Sequence, residues 1–177
     1  MRAAGASILI CLAAGALGCG GSSGSQGSAL RACQLEELRV STRAQGATGT
    51  IVGSIRLRNP DGACNLATHA DVSLRSAGGH RLGVRVLAPQ LAPSTRPLRL
   101  DGPDSDDTAV VSLNWQEWCR EAPGETTVTL RIPGSGELTD VEVFDGSHPS
   151  CVFEDRQKSV LNVSDVSLTT LTEQELG

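Results

Sequence analysis

The segment TAVVSLNWQEWC, residues 108–119, reads in steps of two as far as its first tryptophan. Ala109, Val111, Leu113 and Trp115 are apolar, while Thr108, Ser112 and Asn114 between them are polar. Side chains on a strand alternate between two faces, so this pattern describes a strand with one buried face and one wet face. The same period returns along the chain. Ile51, Gly53, Ile55 and Leu57 alternate with Ser54, Arg56 and Arg58, and Val128, Leu130 and Ile132 alternate with Thr127, Thr129 and Arg131. Leu82, Val84 and Val86 alternate with Arg81 and Arg85, Val141 and Val143 flank Glu142, and Leu161 and Val163 flank Asn162. Weaker runs lie at 35–41, 70–75 and 165–171. Half-buried strands of this kind belong to antiparallel sheets. No segment sustains a helical period; a short helical turn is expected only near Gln116–Arg120.

Turn residues separate the runs: Asn59-Pro60-Asp61-Gly62, Ala77-Gly78-Gly79, Asp101-Gly102-Pro103, Ala122-Pro123-Gly124, Pro133-Gly134 and Asp145-Gly146. Many short strands at this spacing predict an all-β, Ig-like antiparallel β-sandwich. The chain has 177 residues, 39% apolar but only 2% aromatic, with a formal net charge of -5. The core must therefore be built from Val, Leu, Ile and Ala around Trp115. The acidic balance excludes a general nucleic-acid binder, which needs clustered cations to displace counterions from phosphate. A mean hydropathy of -0.09 excludes a polytopic membrane protein. Arg outnumbers Lys fourteen to one. The arginines are spread over the strands, which reads as coding bias rather than as a site for anions.

The N-terminus is an address. Arg2 precedes a twelve-residue apolar run, Ala6–Leu17. As a helix this run is about 18 Å long, too short for a hydrocarbon core of about 30 Å but right for a secretory signal. Ala16-Leu17-Gly18-Cys19 resembles a bacterial lipobox, which implies that Cys19 is acylated and the chain is cut before it. Cleavage after Ala14-Gly15-Ala16, giving a secreted protein, is the competing expectation. Gly20–Ser28 (GGSSGSQGS) is a flexible tether. The organisation is thus a signal peptide at 1–18, lipidated Cys19 with its tether at 19–28, and one β-sandwich domain at 29–177.

With Cys11 lost in the signal and Cys19 lipidated, Cys33, Cys64, Cys119 and Cys151 remain. An exported chain meets an oxidising compartment, and an even set of cysteines there reads as two disulfides. Three connectivities are possible. The expected one is Cys33–Cys64 with Cys119–Cys151, which makes the two separations nearly equal. No C-x-x-C occurs, so neither a zinc ribbon nor a thioredoxin-type redox pair is signalled.

Order and spacing also carry a resemblance. Cys33 is followed by Leu57-Arg58-Asn59-Pro60-Asp61-Gly62, Cys64-Asn65-Leu66, Val72-Ser73-Leu74 and Leu91-Ala92-Pro93. Leu113-Asn114-Trp115-Gln116-Glu117-Trp118-Cys119, Pro149-Ser150-Cys151 and Val160-Leu161-Asn162-Val163 complete the series. The chain resembles a family of uncharacterised secreted and lipoprotein domains of high-GC Gram-positive bacteria, domain of unknown function 4232. The resemblance implies an Ig-like sandwich with two disulfides and no assigned catalysis. Thr68-His69-Ala70 stands where the family commonly has a Gly-aromatic-Pro step.

Candidates for chemistry are few. His69, His80 and His148 fall in separate loops without the spacing of metal ligands. Gly20-Gly21-Ser22-Ser23-Gly24 matches G-x-S-x-G, but it lies in a tether and not on a strand-to-helix elbow. Asp101, Asp104, Asp106 and Asp107 form an acidic loop, a weak calcium candidate that lacks EF-hand spacing. Trp118 has two readings: cover for the Cys119 disulfide, or an exposed aromatic facing a ligand. No catalytic set assembles from the sequence and no cofactor is implied. The expectation is a non-catalytic binding module on the outer face of the cell membrane. It is expected to be monomeric, lipid-anchored, and to meet an envelope protein or glycan through loops at one end of the sandwich. An envelope hydrolase and a structural subunit of an envelope complex are the alternatives.

Overall fold

The computed structural model describes residues 30–89, 96–152 and 158–170. The signal peptide, Cys19, the tether and Leu91-Ala92-Pro93 lie outside the described residues. The fold is all-β. A single 3-10 turn at Leu35–Glu37 precedes eleven described strands. They are β1 (Arg39–Ala47), β2 (Thr50–Arg58), β3 (Cys64–Leu66), β4 (Asp71–Ser76), β5 (Arg85–Leu87), β6 (Leu98–Leu100), β7 (Asp107–Gln116), β8 (Thr126–Ile132), β9 (Gly136–Glu142), β10 (Val160–Val163) and β11 (Ser167–Thr170).

Three sheets form. The largest runs β1-β2-β7-β10-β5, with β11 pairing the start of β7. A three-stranded sheet runs β4-β8-β9, and β3 pairs β6. All pairs are antiparallel except β5 with β10. The alternation read at 108–115 meets this geometry directly: Ala109, Val111, Leu113 and Trp115 are fully buried. Their partners on β2, Leu57, Ile55, Gly53 and Ile51, carry the same buried face. Val128, Leu130 and Ile132 of β8 close over them in one sandwich-like core.

Trp115 is the centre of that core. Its ring lies 5.2 Å from Phe144 and 5.7 Å from Trp118. The indole N–H donates to Ser159 Oγ at 2.7 Å, and Ser159 donates in turn to the Gln116 carbonyl at 3.0 Å. Gly53 makes room beside these rings. A Cβ there would lie 2.7 Å from Val143 Cγ1 and 3.0 Å from Phe144 Cε1, inside contact distance. The β1–β2 hairpin turns through Thr48-Gly49, with Gly49 at φ 74°, a conformation natural to glycine. The Gly49 carbonyl accepts from Glu117 N–H, which ties the hairpin to the end of β7.

The disulfides are Cys33–Cys64 and Cys119–Cys151, with separations of 31 and 32 residues. The first staples the domain's entry segment to β3, beside the Cys33 N–H bond to the Asn65 carbonyl. Two local expectations need correction. Residues 116–120 form no helical turn; β7 ends at Gln116, and Glu117 takes a left-handed φ of 49°. That kink breaks the two-residue period and swings Trp118 back onto Trp115. Leu82, Val84 and Val86 do not form one strand either. Leu82 N–H bonds to the Leu74 carbonyl on one sheet, whereas Val86 pairs with Leu161 on the other.

Candidate functional site

That change of sheets opens a cleft. After β4 the chain turns through Gly78-Gly79 and runs back antiparallel. Ser76 N–H bonds to the His80 carbonyl, Arg75 bridges Arg81, and Leu82 pairs with Leu74. A tight turn follows, in which Val84 N–H reaches the Leu82 carbonyl. Arg85 N–H then bonds to the Ser159 carbonyl and β5 joins the larger sheet. The returning segment therefore pairs with only the last half of β4. At the other end, the Thr68 carbonyl accepts from Val166 N–H. Between these two anchors the edge of β4 faces a cleft of about 450 Å³.

The cleft has a charged wall and an apolar wall. Asp71, Ser73, Thr129, Arg131 and Glu137 line it from the three-stranded sheet, and Arg81 from the returning segment. Val86, Ala88 and Val163 line it from the larger sheet. The charges form a ladder across strands, because Asp71 lies opposite Arg131 and Arg131 opposite Glu137. Arg131 Nη2 donates to Asp71 Oδ2 at 2.7 Å. His69 Nε2 lies 3.2 Å from Asp71 Oδ1. The Arg131 hydrogen bond holds the Asp71 carboxyl below the usual carboxylate range, against a smaller opposing effect of burial, with His69 adding to the lowering. Arg75 Nε donates to Thr129 Oγ1 at 3.1 Å and stiffens the same wall. The arrangement suits a polar or charged ligand with a small apolar body, since fixed charges oppose an aliphatic surface.

The sites read from the sequence fall elsewhere. The acidic loop does not converge: Asp101 accepts from Arg99 at 2.7 Å, and Asp106 lies 3.5 Å from Arg58. Among the described residues no three His, Cys, Asp or Glu side chains are placed to hold a metal ion. Of the calcium candidate Asp101, Asp104, Asp106 and Asp107, two carboxylates thus face neighbouring arginines. Trp118 is not a ligand-facing aromatic. It is 6% exposed, packs edge-on against Trp115, and donates its indole N–H to the Glu121 carbonyl at 2.8 Å. Sequence reasoning missed the cleft because its residues, from Ala70 to Val163, come from six separate segments. The available signal was polar alternation: Asp71 and Ser73, like buried Thr129 and exposed Arg131, stand two apart on their strands.

Comparison with known proteins gives one positive result. No curated protein and no solved structure shows significant similarity to the chain. A family model matches residues 33–169, which takes in both disulfides, the Trp115 core and every residue that lines the cleft. The chain belongs to the family described as Domain of unknown function (DUF4232).

Proposed function

We propose that the protein is an exported, lipid-anchored, non-catalytic binding module on the outer face of the cell membrane. Its ligand, an envelope protein or glycan, sits in the cleft beside β4. One observation carries this reading: a cleft of about 450 Å³ in which Asp71, Arg81, Arg131 and Glu137 oppose Val86, Ala88 and Val163. Fixed charges on a rigid sheet give orientation and specificity, and an apolar wall gives contact area. The site lies where strands change sheets and not among loops at one end. The two disulfides suit an oxidising compartment outside the cytoplasm. Cys19 and the Gly/Ser segment suit a domain held off a membrane on a tether, since two acyl chains give stable anchoring where one is marginal.

A hydrolase is the weaker reading. Asp71 and Ser73 share one face of β4 and His69 stands two residues before it, but their order is wrong for nucleophilic catalysis. An activating imidazole must lie between serine and carboxylate, whereas here the carboxylate lies between imidazole and arginine. The test is a crosslinking pull-down from intact cells, read by mass spectrometry, on wild type and Arg81→Glu. The expected result is a discrete partner or glycan adduct that the charge reversal removes. Equal capture by both proteins contradicts the cleft as the binding site. For the anchor, Cys19→Ala is expected to move the protein into the medium; retention in the membrane fraction contradicts lipidation.

A further inference from the structure

The free edge of β4 is only half used. In an antiparallel ladder the N–H and C=O of one residue point to the same side, and the side alternates from residue to residue. The Leu74 carbonyl accepts from Leu82 N–H at 2.9 Å, and Ser76 N–H donates to the His80 carbonyl at 2.9 Å. Even-numbered residues of β4 therefore turn their main chain away from β8, while Asp71, Ser73 and Arg75 turn theirs toward it. Val72 is the next even-numbered residue. The returning segment does not reach it, because the chain tightens at Leu82–Val84 and leaves for the larger sheet. Among the described residues no hydrogen bond reaches Val72 N–H or the Val72 carbonyl on this side.

Val72 nevertheless lines the cleft. It is 6% exposed and its side chain belongs to the core, so what it presents to the cleft is main chain. Backbone groups this deep in a fold are nearly always paired. Asp71 and Ser73 stand on one side of this slot, and Val86, Ala88 and Val163 on the other. Arg81 belongs to the charged side. It lies directly opposite Arg75, and side chains paired across strands share a face, which Arg75 shares with Asp71 and Ser73. Arg131 is held by Asp71, whereas the Arg81 guanidinium has no ion pair among the described residues.

We infer that the cleft takes an extended peptide segment of a partner protein, added to the edge of β4, with apolar and carboxylate side chains at alternate positions. The inference rests on the cleft being the binding site and names what binds there. An extended peptide carries N–H and C=O groups at the spacing that Val72 presents, which sugar hydroxyls do not, and main-chain bonds of this kind are how a sheet edge captures a strand. Side chains of an added strand alternate in step with those of β4. Those that point with Val72 meet Val86, Ala88 and Val163, and those that point with Ser73 meet Arg81, which pairs with a carboxylate. The slot is short. Thr68 is held by Val166 and Leu74 by Leu82, six residues and at most about 20 Å apart. A segment of about three to five residues fills it.

The experiment uses the full chain carrying Cys19→Ala and an acetylated, amidated hexapeptide of alternating valine and glutamate. Amide hydrogen exchange is followed residue by residue by NMR with about 5 mM peptide, a concentration at which weak recognition registers. Val72 N–H is expected to slow by at least about threefold, while Ser73 N–H, already turned to β8, stays within about 1.5-fold. N-methylation of every peptide amide keeps the side chains but removes the donors, and is expected to weaken binding by at least about tenfold. Arg81→Gln is expected to weaken it by about three- to fivefold, and Arg99→Gln, whose guanidinium is paired with Asp101, by less than about twofold. Unchanged Val72 exchange, or equal binding of the methylated peptide, overturns the inference. The pull-down from intact cells separates the peptide from the cleft. A glycan adduct that Arg81→Glu removes keeps the cleft as the site and overturns the peptide; an adduct indifferent to Arg81→Glu overturns both.

Discussion

Replacing Ser159 with alanine removes one hydroxyl and leaves a fully buried indole N–H without its acceptor. Trp115 is 0% exposed and its indole N–H has Ser159 Oγ at 2.7 Å. Leaving a buried donor unsatisfied costs about 1–3 kcal/mol. The same substitution deletes the bond from Ser159 to the Gln116 carbonyl, worth about 0.5–1.5 kcal/mol. The expected loss is about 2–4 kcal/mol, or a fall in Tm of about 10 °C for a domain of this size. Urea unfolding followed by tryptophan fluorescence measures it, since both tryptophans lie in the core. A double-mutant cycle isolates the indole contribution. In a Trp115→Phe background there is no N–H to strand, so Ser159→Ala is expected to cost only about 1 kcal/mol. The coupling energy is then about 1–3 kcal/mol. Additivity to within about 0.5 kcal/mol would refute the assignment of Ser159 as the partner that permits a buried tryptophan here.

Three further outcomes follow from the geometry. Gly53→Ala forces a methyl against Val143 and Phe144 and is expected to destabilise by about 1–3 kcal/mol in the same urea assay. Paired serine substitution of Cys33 and Cys64, or of Cys119 and Cys151, opens loops of similar length and is expected to cost about 3.7 kcal/mol each; non-reducing peptide mapping first verifies the two pairings. Asp71 carries a lowered pKa, so its pair with Arg131 stabilises the fold above the ordinary carboxylate pKa and is lost as pH falls through the lower folded value. Because both groups are about half exposed, Asp71→Asn is expected to cost no more than about 1 kcal/mol at pH 7. That difference should shrink as pH falls through the ordinary carboxylate range and vanish once pH lies below the lowered folded value.

What the sequence revealed depended on periodicity. Strands with one face in the core, β2, β7 and β8, were legible because a buried sheet face imposes a two-residue pattern over seven to ten residues. The pairing of the four domain cysteines was legible from their separations. Three-residue strands were not: Cys64–Leu66 and Leu98–Leu100 are too short to show a period, and their register comes from tertiary packing. β1 hid for the opposite reason. It extends to Ala47, well beyond the weak run at 35–41, yet Arg39–Ser41 and Arg43–Gly46 are exposed. Trp118 was unreadable because one left-handed residue, Glu117, resets the alternation. The cleft was hidden for a deeper cause. Asp71 and Arg131, like Arg39 and Arg58, become neighbours only through strand pairing, and polar positions carry no signal of their partners.

The central claim is that the cleft beside β4 holds a ligand in the intact envelope. A photo-crosslinking side chain at Ser73, inside the cleft, compared with one at exposed Thr139 on β9, tests it most directly in living cells. The account predicts a discrete adduct from Ser73, absent from Thr139 and lost when Arg81→Glu is added. Adducts of equal yield from both positions, or a Ser73 adduct indifferent to Arg81, would contradict it.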